Sequence, residues 1–145
     1  MSLQDLLSNL PAEVAFAHCD IPCGIYDPKM AQIYAAGAAK MVEKINNELH
    51  YESDLHTAHD LIRLVTIKEQ QAQRCKEELS ILWSDYFKPE HLGAHPDLHD
   101  TFWKALKACS TVKRSTSMDD AKALTDLVDQ IADIFAATKS VPAAH

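Results

Sequence analysis

Apolar residues recur at helical spacing along most of the chain, and the breaks in the pattern fall at turn-forming residues. From Pro28 onward, Met30, Ile33, Tyr34, Gly37, Ala38, Met41, Val42, Ile45 and Leu49 fall on one stripe, with Lys40, Glu43, Lys44, Asn47 and Glu48 off it. Positions three and four apart share a helix face, so the stripe predicts an amphipathic helix. Asp27-Pro28 is its start signal, a capping carboxylate followed by proline at the first helical position. After a break at residues 50–53, with Ser53 as the expected cap, a second stripe runs through Leu55, Ala58, Leu61, Ile62, Val65, Ala72, Cys75, Leu79, Leu82, Trp83 and Tyr86 until Pro89. Its length is unusual for a globular helix, and the polar residues 68–73 leave room for a bend. Leu98, Phe102, Ala105, Leu106 and Cys109 form a third stripe after Pro96-Asp97, and Ala121, Leu124, Leu127, Val128, Ile131, Ile134 and Phe135 a fourth, opened by the capping arrangement Ser117-Met118-Asp119-Asp120. Four amphipathic helices joined by short connections predict an all-α, antiparallel four-helix bundle.

Composition agrees with that fold and narrows the function. The chain has 145 residues, 47% hydrophobic and 24% charged, with only 3 glycines and 6 prolines, too few for the turns of an all-β sandwich. A single domain of this size can bury enough surface to stand without disulfides or a structural metal, so any metal is expected to serve chemistry. The 14 Lys and Arg are outnumbered by 21 Asp and Glu, a net charge of -7, and no basic stripe is present, which argues against nucleic acid and anionic membranes as partners. No window is long and apolar enough for a membrane span.

Cys75 and Cys109 lie on apolar stripes and are expected to be buried packing thiols. His56 and His59 are one turn apart but have no further ligand beside them. His91, His95 and His99 are spaced by four, yet Gly93 and Pro96 interrupt any helix that would put them on one face. Residues 1–17 end in Ala15-Phe16-Ala17, like a cleavage site, but carry no Lys or Arg and have helical rather than continuous apolar spacing. They read as an N-terminal helix or a removable leader that is not a secretion signal.

Chemistry is concentrated in His18-Cys19-Asp20-Ile21-Pro22-Cys23-Gly24-Ile25-Tyr26-Asp27-Pro28. Pro22 excludes a regular helix between the two thiols, and Gly24 frees the backbone to turn. The segment is a hook whose thiolates, four residues apart, can close on one metal ion beside an imidazole. Structural zinc usually takes four side-chain ligands, and no second cysteine pair matches this one. Cleavage after Ala17 would expose an α-amine on His18. That amine, the Cys19 amide nitrogen and the Cys19 and Cys23 sulfurs would then make a planar N2S2 set, with the His18 ring axial. Planar N and S donors suit nickel(II). On residues alone, nickel or copper redox chemistry, a thiol-disulfide pair and a zinc or other structural use all stay open.

The hook resembles that of nickel-containing superoxide dismutases, whose motif is H-C-x-x-P-C-G-x-Y-x-P after a removable leader. It matches at His18, Cys19, Pro22, Cys23, Gly24, Tyr26 and Pro28. Leu82-Trp83-Ser84-Asp85-Tyr86-Phe87-Lys88-Pro89 is similar to the family's L-W-S-D-Y-F-K-P block, and Val65-Thr66-Ile67-Lys68-Glu69-Gln70 to its V-I-K-E-Q run. The resemblance implies a leader over residues 1–17, a bundle over 18–145 with a nickel hook at 18–26, and disproportionation of superoxide through a Ni(II)/Ni(III) cycle. It implies His18, Cys19 and Cys23 as nickel ligands, Tyr26 and Tyr86 near the open axial face, Lys88 near the entrance and Asp20 ordering the hook. It also implies a homohexamer and a leader-removing peptidase. A cytoplasmic location is expected, since no secretion signal is readable and the thiols must stay reduced until nickel arrives. The main alternative is a metal-binding or metallochaperone bundle with an exposed thiol pair.

Two positions depart from the resemblance. The best-known members hold the axial imidazole through a glutamate on the first helix and an arginine just after K-E-Q, and Tyr34 and Gln71 stand there in this chain. Partners of a metal-bound histidine orient it and tune the metal, so a Tyr34 to His18 hydrogen bond supported by Gln71 is the expected substitute.

Overall fold

The computed structural model describes residues 25–48 and 54–139. They form four α-helices: α1 over Lys29–Glu48, α2 over Leu55–Ile81, α3 over Leu98–Arg114 and α4 over Met118–Lys139. A π-helical turn, Leu82–Tyr86, continues α2, and a 3-10 turn, Pro89–Gly93, leads towards α3. Helix α1 packs on α2, α2 on α3, α3 on α4 and α4 on α1, which closes the ring of the predicted bundle.

The helix starts follow from short polar side chains. The Asp27 carboxylate accepts the Lys29 N–H at 2.7 Å, and Ser117 Oγ accepts the Asp120 N–H at 3.3 Å, as the sequence suggested. At α2 the cap is Asp54, not Ser53: its Oδ1 accepts the Thr57 N–H at 2.8 Å and its Oδ2 the Thr57 hydroxyl at 3.2 Å. A carboxylate one residue nearer the helix can take both donors, which decides the start.

Helix α2 differs from its sequence pattern towards both ends. It is continuous through residues 68–73. The irregularity comes at the end, where the Phe87 N–H reaches the Leu82 carbonyl five residues back at 3.1 Å. The expected burial of the early stripe fails as well: Leu55 is 87% exposed and Ile62 66%. Cross-helix bonds explain this. Trp83 meets His99, Lys76 meets Ser110, Gln73 meets Lys113, and Lys68 meets Ser115 just past the end of α3. The first half of α2 therefore runs beyond the end of α3 and, among the described residues, has no third helix to cover it. On α1, Met30 and Ile33 are likewise exposed, and the buried face is Ala31, Ala35, Ala38 and Val42.

The core is built from Val42, Leu79, Leu98, Phe102, Val112, Leu124, Val128 and Ile131, all buried. Full burial of one such side chain stabilises the fold by roughly 1.5–3 kcal/mol. Small residues bring α1 and α2 together: a Cβ on Gly37 would lie 2.8 Å from Gln71 Oε1. Cys75 and Cys109 are both fully buried in this core, as their stripes predicted. Their neighbours Lys76 and Ser110 are bonded across the same α2–α3 seam at 3.0 Å. Trp83 is packed against the core, while Trp103 is 55% exposed beneath the Lys107 ammonium. None of the described helices is long and apolar enough to cross a membrane.

Candidate metal centre

His18, Cys19, Asp20 and Cys23, with the expected leader over residues 1–17, lie outside the described residues. The structure does describe the frame that the hook joins. Tyr26 follows Cys23 by three residues, at most about 11 Å of backbone. It is half-buried against the core cluster, and its carbonyl oxygen is 3.5 Å from the Lys139 ammonium at the end of α4. Its ring centre stands 5.9 Å from that of Tyr86, inclined by 55°. The two tyrosines singled out by the sequence are therefore neighbours, although 60 positions separate them.

Tyr86 is the last residue of the π turn and is held on several sides. Its ring packs on Phe135 of α4 with centres 4.4 Å apart, stands edge-on to Phe87 at 5.0 Å and stacks with His91 at 5.9 Å and 22°. The Tyr86 hydroxyl is 2.8 Å from Thr138 Oγ1. Lys88 is half-buried in the extended link that follows, and its N–H donates to His91 Nδ1 at 3.1 Å. One histidine of the 91, 95, 99 series thus fastens the segment that carries Tyr86 and Lys88. His99 has a different role, accepting the Trp83 indole N–H on Nδ1 at 2.9 Å. The series does not converge, as Gly93 and Pro96 foretold.

Tyr34 and Gln71 stand on α1 and α2, two helices that pack on each other, and their expected partner His18 lies outside the described residues. Gln71 lies against Gly37, one turn from Tyr34. The group over the Tyr34 ring is the Arg74 guanidinium, 5.8 Å from the ring centre. Residue-by-residue reading missed Arg74, Thr138 and Lys139, and it named His91 without this role. Arg74 sits one turn along the helix from Gln71, so helical spacing was the available signal. Thr138 and Lys139 lie over 50 positions from Tyr86 and gave none.

Among the described residues no group of three or more His, Cys, Asp or Glu could hold a metal. His56 and His59 each lie 3.5 Å from the Asp60 carboxylate. Cys75 makes a poor ligand, because its hydrogen bond with Cys109 and its burial push the thiol well above the ordinary thiol range. The residues whose chemistry suits nickel are those of the hook sequence, where His18, Cys19 and Cys23 bring one imidazole and two thiols together within six positions.

Comparison with known proteins points the same way. The family model described as nickel-containing superoxide dismutase matches residues 13–139. Nickel superoxide dismutase of Streptomyces seoulensis is 41% identical over 138 residues, which cover 92% of this chain and 98% of that protein. Its counterpart from Streptomyces coelicolor is 39% identical with the same coverage. A native nickel superoxide dismutase structure superposes with a TM-score of 0.73 at 40% identity, covering 85% of this chain and 100% of the other. Another, with nickel ligation corresponding to the oxidised state, gives 0.74 at 42%, covering 86% and 100%. With the hook motif, the tyrosine pair and the bundle all accounted for, the chain belongs to the nickel-containing superoxide dismutase family.

Proposed function

We propose that the chain is a nickel superoxide dismutase that converts two superoxide ions and two protons into dioxygen and hydrogen peroxide. The observation that carries this is the Tyr26–Tyr86 pair, held at the end of the bundle from which the hook motif departs. Family membership favours the enzyme over the metallochaperone alternative.

In this reading His18, through its α-amine and imidazole, Cys19, through its amide nitrogen and thiolate, and Cys23, through its thiolate, would hold nickel. Bound there, nickel supplies a one-electron Ni(II)/Ni(III) couple, matched to oxidising one superoxide and reducing the next. Asp20 orders the hook. Tyr26 and Tyr86 position a small anion or water and help exclude larger molecules. Lys88, joined by Lys139 beside Tyr26, offsets the net charge of -7 that would otherwise repel an anionic substrate, an effect that salt weakens.

The α-amine becomes available only when the Ala17–His18 bond is cut, so residues 1–17 act as a leader removed by a peptidase and residues 18–145 form the mature bundle. A homohexamer is the proposed assembly, and the exposed Leu55, Ile62 and Trp103 are compatible with helix faces that meet other copies. The cytoplasm is the proposed location, where the thiols stay reduced until nickel arrives. The test is reconstitution: a chain beginning at His18 gains dismutase activity with nickel(II), and the same chain carrying residues 1–17 does not. Equal activity from both would overturn the proposed ligand set.

A further inference from the structure

The hydroxyl protons at the Tyr86 end of the bundle can be counted. Thr138 Oγ1 lies 2.7 Å from the Phe135 carbonyl oxygen, which can only accept, so the single Thr138 proton is committed there. The Tyr86 hydroxyl is 2.8 Å from the same Oγ1. With the Thr138 proton spent, Thr138 is the acceptor in that pair and Tyr86 the donor. The phenol proton therefore runs into α4, and the Tyr86 oxygen keeps only lone pairs for whatever approaches from the Tyr26 side. Ring packing against Phe135, Phe87 and His91 holds the phenol in that orientation.

We infer that Thr138 is a positioning residue for the dismutase reaction, fixing Tyr86 as a hydrogen-bond acceptor at the site rather than a donor to the substrate. This rests on the proposed placement of Tyr86 at the open face of the metal centre. Of the two occupants open to the tyrosine pair, a small anion or water, a phenol in this state selects water, which it holds through one of that water's protons. The other proton of the water then faces the superoxide. The two protons consumed per turnover come from bulk solvent and pass one at a time through the water ordered on the Tyr86 oxygen, which solvent reprotonates after each transfer, and the phenol gives up none of its own.

The experiment compares Thr138→Val, Thr138→Ser, Tyr86→Phe and the Tyr86→Phe/Thr138→Val double variant, each as mature nickel-loaded enzyme. Steady-state kcat and KM, the solvent deuterium isotope effect on kcat, and Tm are measured. Losing one neutral hydrogen bond predicts that Thr138→Val lowers kcat roughly three- to ten-fold with KM unchanged and alters the isotope effect. Thr138→Ser, which keeps the hydroxyl, stays within about two-fold of the parent, and Thr138→Val adds nothing to Tyr86→Phe. If Thr138→Val does not fold, Thr138→Ala takes its place in the same cycle. A Thr138 variant that lowers kcat equally in the Tyr86→Phe background overturns the inference, as does a silent one where Tyr86→Phe is impaired. A silent Tyr86→Phe locates the failure in the placement of Tyr86 itself.

Discussion

The Arg74 guanidinium carbon lies 5.8 Å from the centre of the Tyr34 ring, one helical turn beyond the glutamine at the position from which the resemblance led us to expect support for Tyr34. A cation over a tyrosine face at an exposed site contributes about 0.5–1 kcal/mol. Tyr34→Phe keeps the ring and the cation contact, so Tm should be unchanged. The phenol oxygen is lost, and if Tyr34 holds His18 the axial-nitrogen splitting in the EPR spectrum of the nickel(III) form should change. Unchanged splitting with unchanged turnover would remove Tyr34 from the metal's surroundings.

Gly37 and Gln71 set a second test. A Cβ at Gly37 would come within 2.8 Å of Gln71 Oε1, but that atom is the free end of a flexible side chain. Alanine also gains about 1 kcal/mol of helix propensity over glycine. Thermal denaturation should find Gly37→Ala close to neutral and Gly37→Leu destabilised by about 1–3 kcal/mol, since a branched side chain has no room in the seam. A strongly destabilised Gly37→Ala would mean that Gln71 is held rigidly.

The buried thiols predict a pattern of chemical protection. Both thiols are shut away from solvent, and the neighbouring Cys109 thiol and burial also push Cys75 above the ordinary thiol range, so Cys75 and Cys109 should resist maleimide while the bundle is folded and react in denaturant. Mass spectrometry after pulse labelling reads this directly. Cys75→Ala should cost roughly 1–3 kcal/mol through the cavity it leaves. Rapid labelling of Cys75 in the native protein would show that the α2–α3 seam opens.

Lys68 gives the pH dependence. It is buried with its ammonium donating to the Ser115 carbonyl, and desolvation lowers its pKa from 10.5. Below the lowered value both states are protonated and the folded chain bears the full cost of the buried charge. Between that value and 10.5 the unfolded chain binds more protons, so stability rises with pH. Denaturant melts should therefore show the wild type gaining on Lys68→Met as pH climbs towards 10.5. A constant difference would mean that Lys68 is solvated in the fold.

Periodicity made the bundle legible because each helix keeps one apolar face for its two neighbours, as Ala121, Leu124, Val128 and Ile131 do on α4. It misread Leu55 and Ile62 because an apolar stripe reports what a helix can bury, and only the relative lengths of α2 and α3 decide whether anything lies opposite. The hook was legible as chemistry from its own spacing, since Pro22 and Gly24 act locally. Tyr86 was found through a motif block, but what holds it was not: Thr138 and Phe135 reach it from α4, and no local pattern encodes a contact made by folding. The π turn at Leu82–Tyr86 was hidden for the same reason, being one residue of extra winding inside an otherwise helical run.

The central claim is that nickel is held by a chain whose first residue is His18. Intact mass together with metal analysis of active protein from its native host tests it most directly. The expected result is a polypeptide of residues 18–145 carrying nickel, with dismutase activity following the nickel content. Fully active protein that retained Met1, or that contained zinc and no nickel, would contradict it.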